Sequence, residues 1–367
     1  MSSGVYIHLP FCRVQCTYCP FAVSTDLKLE PAYTAALVAE IDSAGELGRI
    51  DTLFLGGGTP SRTPMDSLRQ VFDAVDRRSP VDQMTEVSIE ANPEDVTAAA
   101  LEGWRSLGVT RVSVGVQSLH DEELYPLGRG HRSNAARDAV ALAVASGLRT
   151  SADLILGLPH QTPAGFEETL EAMLDSGVGH LSLYMLDLEE GTSLHSQVRE
   201  GRAAVPPDEE TAQSYRRAIE RLDERGFSQY EISNFALPGE VCLHNVAYWQ
   251  RKPYRGFGIA AHSFDGTRRW ANCRSIPQYI EAISSGRPAV DFREELGTTE
   301  QREETIFLGL RQASGLDYRE LIAMCGEKGA EWVFRGFKGG WLRQRDGRVA
   351  FTTDGFLFSS EYIAQLF

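Results

Sequence analysis

The sequence predicts an α/β chain: a partial (β/α)6, TIM-like barrel followed by a small C-terminal helical, winged-helix-like domain. Three observations predict it. Short apolar runs alternate with amphipathic helical stretches as far as Leu186, the pattern of a mainly parallel sheet with crossover helices. Within several of those runs, apolar residues alternate with polar or small ones, so each strand has two different faces. Beyond Leu186 the alternation stops, and from Thr298 helices return with a hairpin behind them.

Taken in order, strands are predicted near Val5–Leu9, Thr52–Leu55, Glu86–Ala91, Arg111–Val116, Ala152–Leu156 and His180–Leu186. Helices are predicted between them over Pro31–Leu47, Met65–Arg77, Thr97–Leu107, Ser133–Ser146 and Ala164–Asp175. Six such units give an incomplete version of the eight-unit barrel. On the third strand Val87, Ile89 and Ala91 alternate with Ser88, Glu90 and Asn92. On the fourth, Val112, Val114 and Val116 alternate with Ser113, Gly115 and Gln117. Fully buried parallel strands seldom carry a polar face, so a lumen holding a hydrophilic ligand is expected, with strands open to water on one side as the alternative. Pro206–Gly226 reads as a further helix, and the aromatic, Gly- and His-rich stretch Tyr230–Trp270 as loop and irregular strand. Helices follow over Thr298–Arg311 and Tyr318–Cys325. Asp346-Gly347 then marks a hairpin between Trp341–Arg345 and Arg348–Phe351, and a last helix follows Ser359. The expected domains are 1–230 for the barrel, 231–297 for a connecting region, and 298–367 for the small terminal domain.

The chain has 367 residues and a formal net charge of −15, from 36 basic and 51 acidic side chains. Such a surface repels phosphate backbones, so no nucleic acid partner is expected. There is no run of about 18 apolar residues, and MSSGVYIHLP has no signal-peptide pattern. A cytoplasmic chain is expected, with peripheral membrane contact left open.

Three of the six cysteines crowd together as Cys12, Cys16 and Cys19, in the spacing C-x3-C-x2-C directly after the first strand. That places them at the strand's C-terminal end, where barrels carry their active sites. Three thiolates hold three irons of a cubane cluster and leave the fourth iron open. A structural zinc site needs a fourth ligand that the nearby sequence does not offer; metal-free reactive thiols are the other alternative. Gly56-Gly57-Gly58-Thr59-Pro60 ends the second strand, where successive glycines bring backbone amides close to a ligand. Glu90 and Asp153 are candidates for hydrogen bonds to ribose hydroxyls. Gln117 is a further polar candidate, and Arg129 suits a carboxylate in fork geometry.

The cysteine spacing resembles the cluster motif of the radical S-adenosylmethionine (SAM) superfamily, with Tyr18 at the aromatic position before the last cysteine. The tri-glycine turn is similar to that superfamily's GGE-like motif, with Thr59 where many members have Glu. The likeness extends over essentially the whole chain. Tyr6-Ile-His-Leu-Pro-Phe-Cys12, Leu55-Gly-Gly-Gly-Thr-Pro-Ser61, Glu90-Ala-Asn-Pro93, Gly115-Val-Gln-Ser118 and Asp153-Leu-Ile-Leu-Gly-Leu-Pro159 resemble the oxygen-independent coproporphyrinogen III oxidase-like group. The oxidase has a fourth cysteine two residues after the third; here that position is Phe21. His244-Asn-Val-Ala-Tyr-Trp249 is similar to the HNxxYW motif of the HemW-type heme chaperones. Gly258-Ile-Ala-Ala-His-Ser263 and Phe307-Leu-Gly-Leu-Arg311 resemble the same branch, with Ala260-Ala261 where glycine is usual.

The resemblance implies a [4Fe–4S] cluster on Cys12, Cys16 and Cys19. It implies SAM near Tyr6, Gly57, Gly58, Thr59, Glu90, Gln117, Arg129 and Asp153, and heme near His244. It implies heme transfer to an acceptor protein and an electron donor of flavodoxin or ferredoxin type. From the residues alone, His244 beside Tyr248 and Trp249 reads as either an axial heme ligand or a core histidine. His262 competes with it as a ligand, and Cys242 reads as a thiolate ligand or a buried small residue. Decarboxylation of coproporphyrinogen III and radical SAM methylation are the alternative activities. The sequence leaves open whether SAM is consumed.

Overall fold

The computed structural model describes residues 3–45 and 47–367. Its main body is a twelve-stranded sheet in the order β12-β11-β10-β9-β1-β2-β3-β4-β5-β6-β8-β7. The parallel centre is β1 (Ser3–Leu9), β2 (Ile50–Gly57), β3 (Glu86–Ala91), β4 (Arg111–Gln117), β5 (Arg149–Leu156) and β6 (His180–Met185). Helices Glu30–Ser43, Met65–Asp76, Ala98–Ser106, Ser133–Ala145 and Pro163–Asp175 connect consecutive strands. The helix expected over Pro31–Leu47 thus ends at Ser43; position 46 lies outside the described residues. β1 does not pair with β6, so the barrel is incomplete, as the six-unit reading required.

The two-faced strands position the site. Val5, Ile7 and Leu9 of β1 are buried with Val87, Ile89, Val112 and Val114 in one hydrophobic core shared with the outer helices. The helix Met65–Asp76 presents Leu68, Val71, Phe72 and Val75 to it, at the spacing that aligns one helical face. The alternate residues of the same strands point the other way, into the lumen.

The stretch 231–297 contributes more regular structure than its sequence advertises. After β7 (Ser228–Glu231), it adds β8 (Asn234–Ala236), β9 (Tyr254–Phe257), β10 (His262–Phe264), β11 (Arg268–Asn272) and β12 (Val290–Glu295) to the same sheet. β9 lies parallel against β1, pairing Gly4 with Tyr254 and Ile7 with Phe257. Two helices in this stretch, Leu243–Trp249 and Ile276–Ser284, go beyond the loop and irregular strand that the sequence predicts.

The N-terminal end of the barrel is closed by a buried ion pair. Arg111 Nε donates to Glu86 Oε2 at 3.2 Å, with both side chains essentially inaccessible. Arg111 also donates to the carbonyls of Glu240 and Val241, at 2.9 and 3.2 Å. Glu86 accepts from the amides of Leu243 and His244, at 3.1 and 3.0 Å. These free amides open the helix Leu243–Trp249, and a carboxylate there satisfies them and complements the helix dipole.

The C-terminal region has its own core around Leu310, Leu321, Trp332, Phe351 and Ile363. It contains a three-stranded antiparallel sheet of β13 (Leu316–Asp317), β14 (Leu342–Arg345) and β15 (Arg348–Phe351), ordered β13-β15-β14. The helix expected over Tyr318–Cys325 ends where Gly326 leaves helical geometry at φ 61° and ψ −145°, and a second helix runs on from there to Lys338. That backbone conformation is open to glycine at little cost and separates the two helices. No helix among the described residues is long and apolar enough to cross a membrane.

Candidate functional site

At the C-terminal ends of the parallel strands lies a cavity of about 480 Å³. Cys12, Cys16 and Cys19 all line it, as do Gly57, Gly58, Thr59, Glu90, Gln117, Arg129 and Asp153. Residues chosen from separate sequence segments therefore meet in one chamber. Tyr6 does not line this chamber. It faces a neighbouring one, and the two share Pro20 and Phe21 as a wall.

The cysteine loop is tied down on both sides. The Cys12 amide donates to Ser24 O at 2.9 Å, and the Thr17 amide to Leu127 O at 2.9 Å. Thr59 Oγ1 donates to Cys12 Sγ at 3.3 Å, and Arg129 Nη1 to Cys16 Sγ at 3.7 Å. Burial pushes the Cys12 thiol up to about 11 and raises that of Cys19. In the metal-free chain these two sulfurs are thiols, and metal must displace their protons. Among the described residues, no three side chains converge as ligands on a single ion. A cubane takes one sulfur per iron corner, so its three thiolates stand apart around a body rather than a point. Three soft sulfur donors on one chamber wall fit such a cluster.

The rest of the lining fits a polar, charged ligand. Gly58 is pressed against β1: a Cβ there would stand 2.6 Å from both the carbonyl carbon and the oxygen of Pro10. Only glycine permits this approach. Glu90 Oε2 accepts from the Gly57 amide at 3.2 Å. Burial, and then the charge of Asp153, raise the Glu90 carboxyl to about 7. Burial also raises Asp153, which accepts from Ser113 Oγ at 3.1 Å. Arg129 Nη2 donates to Asn92 Oδ1 and to Gly115 O, both at 2.9 Å, while its buried Nε has no partner. Gln117 stands at φ 66°, where β4 slips register against β5. A non-glycine residue held there stores strain beside the chamber. The sequence shows Asn92 and Ser113 only as strand-face residues; that they hold Arg129 and Asp153 is visible in the fold alone.

His244 lies at the other end of the barrel. Its ring lies close to Gly4 and stacks on Phe54, with centroids 5.2 Å apart. Nδ1 is 2.8 Å from Thr52 Oγ1, and Nε2 is 3.0 Å from Tyr248 Oη. Burial lowers the imidazole to about 4, so the ring is neutral. Both nitrogens are engaged, and the residue is 2% exposed. As an axial ligand it would have to release one of these partners and reach solvent. Cys242 takes the buried reading: its thiol donates to Glu86 Oε1 at 3.4 Å, and burial raises it to about 12.

Residues 6–173 match the model of the radical SAM superfamily. Over 331 residues the chain is 35% identical to a protein named heme chaperone HemW from Bacillus subtilis, covering 88% of this chain and 87% of that one. Over 371 residues it is 34% identical to the heme chaperone HemW of Mycobacterium tuberculosis H37Rv, covering 99% and 94%. The chain belongs to the HemW family of the radical SAM superfamily. The structure titled coproporphyrinogen III oxidase (HemN) from Escherichia coli superposes with a TM-score of 0.85. It is 22% identical and covers 100% of this chain and 89% of that one. This likeness shows the fold, a partial barrel with a helical C-terminal region. Membership of the superfamily makes the [4Fe–4S] cluster and SAM the HemW-family chain's cofactors. With SAM bound, the cluster would supply reductive cleavage chemistry. This chain's own contribution is a chamber that holds three sulfurs against glycine amides, carboxylates and one forked cation.

Proposed function

We propose that this chain is a heme chaperone that binds heme and hands it to an acceptor protein. The cluster would sit on Cys12, Cys16 and Cys19. SAM would lie along Gly57, Gly58, Thr59, Glu90, Gln117, Arg129 and Asp153; Tyr6, expected beside them, faces the adjoining chamber instead. An electron donor of flavodoxin or ferredoxin type would serve the cluster, and the chain would work in the cytoplasm, touching membranes only peripherally. The observation that carries this reading is Phe21. In place of the oxidase's fourth cysteine it puts a benzyl side chain that is 64% exposed and lines both chambers. An apolar, solvent-open wall suits holding a flat hydrophobic ligand better than it suits another thiol.

Within its chamber Glu90 is held close enough to Asp153 for that charge to raise its carboxyl. Where both accept from a ribose, the ligand's hydroxyl donors favour the ionised carboxylate, and Glu90 releases its proton to solvent. Arg129 keeps one guanidinium edge on Asn92 and Gly115 and leaves Nε unpaired. It can fix a carboxylate orientation without itself moving.

Anaerobic reconstitution followed by heme titration tests the proposal. The expected outcome is a shifted Soret band saturating near one heme per chain, with that heme then delivered to an apo-hemoprotein. No turnover of coproporphyrinogen III is expected with SAM and reductant. Clear decarboxylation, or no Soret shift on titration, would overturn it.

A further inference from the structure

The second chamber, of about 570 Å³, lies beside the cluster chamber and shares Pro20 and Phe21 with it. That volume falls within the range of about 300–1,000 Å³ usual for small-molecule sites. Its wall holds three tyrosines (Tyr6, Tyr248 and Tyr254), two histidines (His8 and His262) and the cation Arg274. The two histidines differ in what they can offer. His8 is spoken for at both nitrogens, with Nδ1 3.1 Å from Tyr6 Oη and Nε2 2.9 Å from Ala22 O. His262, at the start of β10, is exposed, and its ring contacts Phe292 with centroids 6.1 Å apart. Among the described residues, no group hydrogen-bonds to that ring.

We infer that heme, the cargo of the reading above, seats in this second chamber with His262 as its axial ligand. The inference rests on that reading. The chemistry follows from the wall. A neutral imidazole with a free nitrogen binds heme iron. Partial desolvation of the ring and the nearby cations Arg269 and Arg274 lower the His262 imidazole, which favours its neutral, ligating form. Phe21 and Phe292 are 64% and 42% exposed, and a porphyrin face would cover them. Arg274 spends one N–H on Pro20 O at 3.2 Å and has others for a propionate.

The HNxxYW motif then acts by bracing the wall rather than by ligation. His244 Nε2 meets Tyr248 Oη at 3.0 Å, and Tyr248 packs edge-on against Tyr254 with centroids 4.6 Å apart. Loss of His244 would loosen two of the chamber's aromatic rings without removing an iron ligand.

The test titrates ferric heme into the cluster-loaded chain and its His262→Ala and His244→Gln variants. The readouts are the Soret band and the nitrogen couplings of an axial imidazole in pulsed EPR. His262→Ala should lose the imidazole couplings and bind about tenfold or more weakly, and added free imidazole should restore the band. Because His262 is exposed, that variant should keep its cluster and its fold, checked by iron count and circular dichroism. His244→Gln should retain the couplings. The inference is overturned if His262→Ala keeps the wild-type couplings. It is equally overturned if the wild-type complex shows no axial imidazole and a Soret band typical of tyrosinate ligation that Tyr248→Phe abolishes. A wild-type chain that binds no heme sinks the chaperone reading itself, and the two failures are thereby told apart.

Discussion

The cofactor chamber should cost the metal-free chain stability in a pH-dependent way, and Glu90→Gln isolates that cost. Burial, reinforced by Asp153, raises the Glu90 carboxyl from 4.5 in the unfolded chain to about 7 in the fold. Below pH 4.5 it is protonated in both states and contributes no pH-dependent term. Between about 4.5 and 7 the unfolded chain releases its proton while the folded chain keeps it, so stability falls as pH rises. Above 7 the whole penalty is present. A shift of about 2.5 units at 1.36 kcal/mol each gives about 3 kcal/mol. That figure is a ceiling, because Glu90 lines an open chamber and water there screens the charge. The amide introduced by the substitution stays neutral at every pH and can still accept from the Gly57 N–H. Urea denaturation of the cluster-free chain should therefore find Glu90→Gln more stable than wild type at pH 8, by about 1–3 kcal/mol. At pH 4.5 the two should nearly coincide. An equal difference at both pH values, or none at pH 8, would refute the assignment of this penalty to Glu90.

Three further outcomes are expected. Glu86→Ala leaves the Arg111 guanidinium buried without its counter-ion and frees the amides of Leu243 and His244. The loss should be about 3–5 kcal/mol, read as a lower melting temperature. Gly58→Ala drives a Cβ into the Pro10 carbonyl, which is backbone and cannot swing away; about 1–3 kcal/mol of strain should appear as reduced iron and sulfide per chain after reconstitution. Arg129→Lys keeps the charge but cannot reach Cys16, Asn92 and Gly115 together. Cluster loading should persist while SAM affinity, by equilibrium dialysis, weakens about tenfold.

The parallel centre of the fold was legible because its information is local. Val112, Val114 and Val116 alternate with Ser113, Gly115 and Gln117 within a single strand, and a strand's geometry turns that directly into a core face and a lumen face. Much of the candidate chamber followed for the same reason, since Gly57, Glu90, Gln117 and Asp153 all lie at or near the ends of such strands. The edge strands were hidden. β8 and β10 are three residues long, and β9 acquires its meaning only by lying along β1, some 250 residues earlier in the chain. No local period encodes such a pairing. His244 shows the same limit in a side chain. Its motif is conspicuous in sequence, but its partner Thr52 is 192 residues away. Only the closed fold shows that its nitrogens face the lumen floor and not the chamber.

That placement changes how the two ends of the barrel should be weighed. The strands' C-terminal ends carry sulfurs, glycine amides and a guanidinium with an unpaired nitrogen, groups whose hydrogen-bonding capacity is only partly used within the chain. The N-terminal ends are different: Glu86, Arg111, Thr52 and His244 make their hydrogen bonds within the chain in a buried floor. A polar group whose bonds are already made internally has little left for a ligand, and breaking them costs the full desolvation penalty. Polar residues of the floor should therefore act on heme only through the walls they hold up. Those with spare capacity at the top should act by contact. Phe21 stands where this division becomes functional, since one side chain borders both the cluster's chamber and the tyrosine-lined one. The two chambers meet across the wall that Phe21 forms with Pro20.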